Sequence, residues 1–119
     1  MNKVMFIEIG MGVDLHGQDA TSAAVRACRN AIQNNSMPGL RSVLPGNDIN
    51  NMKVRVKLGA PVPADQIDLE KVKKTFPYGE VTVEVVSGGL ICSSGVVLPD
   101  KGDANDEVII VNAAVEVGY

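Results

Sequence analysis

Three short segments of this chain hold residue types that could do chemistry. The first, Glu8-Ile-Gly-Met-Gly-Val-Asp14-Leu-His16-Gly-Gln-Asp19, contains the only histidine. A Gly-rich turn between a strand and a helix gathers backbone N–H groups and polar side chains around one small volume. Within it, His16 has the chemistry of a general acid or base near neutral pH, with Asp14 as the group that would orient it. The competing reading is structural. Asp19 then caps the following helix, His16 bonds a loop carbonyl, and the glycines only permit the turn. No metal is expected, because a lone histidine and a short Asp14-x-His16 spacing make a poor ligand set.

The second segment is Ser87-Gly88-Gly89. A serine at a strand end, beside the free amides of two glycines, has the parts of a nucleophile and an oxyanion hole, although serine and glycine also build ordinary turns. Lys57 is the third candidate. Partly desolvated near a strand end, it could serve as a base for Ser87; solvated like Lys53, it does nothing chemical. All three segments follow or end predicted strands, so they are expected to converge on one sheet edge, with Glu8, Asp14, Asp19, Gly88 and Gly89 contacting a substrate. Gly10, Gly12 and Gly17 miss the dinucleotide spacing by two positions, and no cofactor is expected.

The elements that must position these residues are legible from periodicity. Val4–Ile9 is a short β-branched run ended by glycine, hence a buried strand. Ala20–Asn34 carries Ala20, Ala23, Ala24, Ala27 and Ala31 at helical spacing, a face that allows close packing on a sheet. Residues 40–51 read as a loop or short irregular helix. Met52–Leu58 alternates apolar residues with Lys53, Arg55 and Lys57, as a half-exposed strand does. Ile67–Thr75 suits a short amphipathic helix, Val81–Val86 a strand, Leu90–Leu98 a further extended piece, and Glu107–Val117 a last strand. The order β-α-β-α-β-β predicts an α+β fold: one mixed sheet with two helices on one face, forming a single domain over residues 1–119.

Composition sets further limits. The chain has 119 residues, 45% of them hydrophobic but only 3% aromatic, with no Trp, so Val, Ile, Leu, Met and Ala must fill the core. Small side chains bury little area each, and the sheet's second face has no helix to cover it. Self-association is therefore expected. A net charge of −3 argues against nucleic-acid partners, which need a basic face. No apolar run is long enough for a membrane span, and a cytoplasmic location is expected. Cys28 and Cys92 have no C-x-x-C spacing and read as ordinary thiols.

The opening segment through Thr21, the helix Arg26-Ala-Cys-Arg-Asn-Ala-Ile32 and the C-terminal Val111-Asn-Ala-Ala-Val-Glu-Val-Gly-Tyr119 together resemble a family of short uncharacterised microbial proteins. Val85-Val86-Ser87-Gly88-Gly89 is also similar to the strand-end serine of the ring-opening amidohydrolases, cyanuric acid hydrolase and barbiturase. That resemblance implies a cyclic-amide hydrolase with Ser87 as nucleophile and Lys57 as base in a subunit-interface cleft. The usual Thr-Glu-Gly context is missing, since Leu90-Ile91-Cys92 follows the glycines. The element order resembles the Bacillus chorismate mutase-like and YjgF-like fold, which implies a homotrimer or a multiple of one. The alternative is a non-catalytic oligomer that binds a small metabolite.

Overall fold

The computed structural model describes residues 1–119. Strands β1 (Val4–Asp14), β2 (Lys53–Ala60), β3 (Glu80–Ser87), β4 (Leu90–Ser93) and β5 (Glu107–Gly118) form one mixed five-stranded sheet. The main path runs β1-β5-β2-β3, and β4 pairs with the first half of β5, in line with β2. Only β2 and β3 are parallel neighbours; β5 is antiparallel to β1, β2 and β4. Helix α1 (Ala20–Ile32) lies against β1 and β5, and α3 (Leu69–Lys73) lies against β3 and α1. A four-residue turn of helix, α2 (Leu40–Val43), sits in the irregular stretch before β2. The chain is thus α+β with its helices over one sheet face. No helix is long and apolar enough to cross a membrane.

Several boundaries differ from the sequence reading, each for a physical reason. β1 does not stop at Ile9 but runs on to Asp14. Gly10 and Gly12 are therefore strand residues. They occupy the inward face where α1 lies closest, and a β-carbon on them would collide with the carbonyl oxygens of Ala27 and Ala23. The alanine face of α1 and the two glycines are halves of one close contact. β4 ends at Ser93 rather than Leu98, because Ser94 turns back to Asp106 and Gly95 adopts φ +74°. α3 shrinks to Leu69–Lys73, capped by Asp68, which accepts from the Glu70 and Lys71 amides.

The core follows the alternation. Val54, Val56, Leu58 and Ala60 of β2 face inward, as do Val111, Ala113, Val115 and Val117 of β5, against Ala23, Ala24, Ala27 and Cys28 of α1. Burial pushes the Cys28 thiol up to about 12, so it stays protonated as a small apolar filler. The opposite sheet face carries no covering element.

Candidate functional site

The first segment splits between two places. Glu8 and Asp14 share the inward face of β1 but lie six residues apart, roughly 20 Å along a strand. Asp14, the last residue of β1, is buried. Its Oδ1 pairs with Arg26 Nη1 at 2.9 Å, and its Oδ2 accepts the Asp19 amide at 2.8 Å. Arg26 also donates to the Val13 carbonyl at 2.7 Å. Asp19 caps α1 as the structural reading expects. Its carboxylate accepts from the Ser22 hydroxyl and amide, and those bonds hold it below the usual aspartate range.

Asp14 therefore does not orient His16. That role falls to Asp103, whose Oδ2 lies 2.6 Å from His16 Nδ1. Asp103 also accepts from the Leu98 and Gly17 amides and from Gln18 Nε2. Burial acts against its charge, but these four donors outweigh burial and hold the carboxyl down to about 2. An ionised carboxylate only accepts, so Nδ1 carries the proton and Nε2 is left as the free ring nitrogen. Gln18 ties the same two loops further, donating to Glu107 O and accepting from Ala104 N. Asp103 is the residue that sequence reasoning missed. It stands 87 residues from His16 in a polar loop with no local signal.

Ser87 and Lys57 are not brought together within one chain. In the parallel β2–β3 register Lys57 stands opposite Glu84, and Ser87 stands opposite Ala60. Lys57 alternates with buried Val56 and Leu58 and projects from the open face, where its Nζ is 3.8 Å from Glu84 Oε2. Ala60 belongs to the buried face, so Ser87 points to the opposite side of the sheet from Lys57. Ser87 lines a shallow cleft with Ala60 to Ala64, Val85 and Val86, none of which titrates.

Gly88 and Gly89 have a steric task. They carry the chain over the end of β2 on its way from β3 to β4. Gly88 N bonds Ala60 O, and a β-carbon on Gly88 would press on the Cα of Gly59. Gly89 sits at φ +64°, and a β-carbon there would meet the Ile110 carbonyl. The C-terminal ends of β1, β2 and β3 do share one end of the sheet, since β1 and β2 are both antiparallel to β5, but Ser87 and the Asp14–His16 segment line separate clefts there. β1 and β3 stand at opposite edges of the four-strand path, about 14 Å apart.

Glu8 lies instead in a cleft of about 400 Å³ between the C-terminal end of α1, the irregular stretch before β2 and the Phe76–Tyr78 turn. Phe6, Ile32, Ile49, Val54, Phe76 and Val115 make its walls apolar. The polar side chains on its lining are Glu8, Asn35, Arg41 and Tyr78. Asn35 Nδ2 donates to Glu8 Oε2 and to the Ala31 carbonyl. Burial raises the Glu8 carboxyl above the ordinary glutamate value. An apolar cleft with a few convergent polar groups and one perturbed carboxyl has the make-up of a small-molecule site. Nowhere do three His, Cys, Asp or Glu side chains group so as to hold a metal ion.

Comparison with known proteins agrees with this picture of a small α+β chain. No functionally curated protein matches it. A crystal structure of an FtsZ-like protein of unknown function from Nostoc punctiforme superimposes with a TM-score of 0.87 at 43% sequence identity. The alignment covers 97% of this chain and 93% of that one. Residues 4–117 match the profile of the conserved hypothetical protein family Lin0512_fam, and the chain belongs to that family.

Proposed function

We propose that this protein binds a small, largely apolar molecule bearing an amine or another strong hydrogen-bond donor, in the cleft around Glu8. The observation that carries this reading is a partly desolvated carboxyl at the wall of a largely apolar cavity, whose other polar side chains are Asn35, Arg41 and Tyr78. Such a group gains most from a donor that follows the ligand's apolar body out of water. The hydrolase alternative needs Ser87 and Lys57 to meet from different subunits, since one chain holds them on opposite sheet faces. The cleft needs no such assembly, so the binding role is the better supported of the two.

The test is a thermal-shift and calorimetric comparison of arylalkylamines with the matching carboxylates. Amines are expected to raise the melting temperature of the wild type, as any ligand selective for the folded state does. Glu8→Gln is expected to lose most of that shift while keeping the Asn35 bond through its amide oxygen. Equal shifts in wild type and Glu8→Gln, or no shift from either series, would overturn the reading.

A further inference from the structure

We propose that a second copy of this chain covers the open sheet face, β1 against β1, with Ile9 of each copy seated in a depression of the other. The face is apolar on the β1 side. Ile7, Ile9 and Met11 project from it at 57%, 69% and 56% exposure, which makes Ile9 the most exposed large hydrophobic side chain of the protein. Across the sheet, Val13 stands in register with Ile110, and Ile110 with Leu90, extending the patch over three strands. Ile9 is itself one wall of a hollow of about 380 Å³ that Met11, Leu90, Ile110 and Asn112 also line, with Asn30 of α1 at its β1 side.

Knob and hollow adjoin on one face. A two-fold axis passing between them inserts each Ile9 into the partner's hollow, the self-complementarity that an isologous interface requires. The charged half of the same face does not oppose this. Lys53 pairs with Glu80, Lys57 with Glu84, and Arg55 with Glu116, each across neighbouring strands.

Area points the same way. The chain exposes 6805 Å², whereas a compact monomer of 12.6 kDa exposes about 6,200 Å². The excess, about 600 Å², approaches the roughly 800 Å² that each partner loses in a standard interface. Its radius of gyration is 15.8 Å, against about 13.5 Å for a compact domain of this length. Association through the β1 edge is the less favoured geometry. Asn30 Oδ1 already accepts the Met11 amide at 2.9 Å, and Arg26 occupies the Val13 carbonyl, so helix side chains block part of that edge.

Light scattering on the eluting wild-type protein, at micromolar concentration, tests the proposal. The expected mass is twice 12.6 kDa; three times that value would mean a different interface. Ile9→Glu and, independently, Met11→Lys are expected to reduce it to the single-chain value with an unchanged far-UV circular dichroism spectrum. Val43→Glu, a comparably exposed site away from this face, is expected to keep the wild-type mass. A monomeric wild type, as a different protein partner would leave it, overturns the proposal. So does a wild-type mass in the folded face variants.

Discussion

His16 Nδ1 and Asp103 Oδ2 stand 2.6 Å apart, joining the loop after β1 to the loop before β5. With Gly17, Gln18 and Leu98 also donating to Asp103, one carboxylate organises both loops. Because its native pKa of about 2 lies below the roughly 3.9 of an unfolded chain, the sign is fixed. Its contribution to stability is complete above about pH 4 and is lost as pH falls through about 2. Asp103→Asn is expected to melt several degrees lower at neutral pH and to show a flatter loss of stability in acid. Urea melts at a series of acidic pH values check this, and parallel pH profiles would refute it.

The Gly10 and Gly12 contact with α1 leaves no room for a methyl group. Gly12→Ala should destabilise the fold by about 3 kcal/mol, the upper end of the overpacking range. Gly39→Ala is the control, since nothing lies within 4 Å of a β-carbon there. Equal denaturation midpoints for the two variants would mean that α1 and β1 are not in the contact described.

Ser87 and Lys57 project from opposite sheet faces, so they should act independently. Ser87→Ala and Lys57→Ala are each expected to change stability by no more than about 0.5 kcal/mol, and the double variant by their sum. A coupling well above that, measured by denaturant melts on all four proteins, would place the two side chains in contact.

Glu8 has the opposite sign to Asp103. Its raised pKa means that the folded state favours the protonated carboxyl, so its contribution is most favourable below the unfolded value of about 4.3. That contribution is lost as pH rises through the native value. Glu8→Gln should therefore be more stable than wild type at neutral pH, with the gain vanishing in acid. A variant less stable than wild type at pH 7, in paired thermal melts, would show that the charged carboxylate is instead well satisfied.

What was legible in the chain was what sequence neighbours decide. The Asp19 cap, the alanine stripe of α1 and the alternation of β2 depend on spacings of two to four residues, and all stand where periodicity puts them. The glycines of the first segment read as a turn because a strand glycine facing a helix backbone looks the same locally. Only the position of α1 distinguishes them. Lys57 could be assigned to the outer face from its neighbours, but the side taken by Ser87 needs the β2–β3 register. Asp103 is beyond any local rule, since its partners lie in two different loops. Glu8 stands out in the first segment by its charge, yet apart from Phe6 its company in the cleft comes from segments 24 to 109 residues further along.

β5 is the strand that every other part of the sheet except β3 must find, and it follows them all in the chain. The consequence is kinetic. Until it docks, β1 has no strand to pair with, and β2–α3–β3 is the only sheet unit that sequence neighbours can close. Pairing β1 with β5 closes a loop of about a hundred residues, the kind of distant contact that slows folding. A fragment ending before Glu107 should therefore lack most of its strand signal in circular dichroism. The long edge strand would then be an unpaired, apolar and adhesive segment for as long as the last strand is missing.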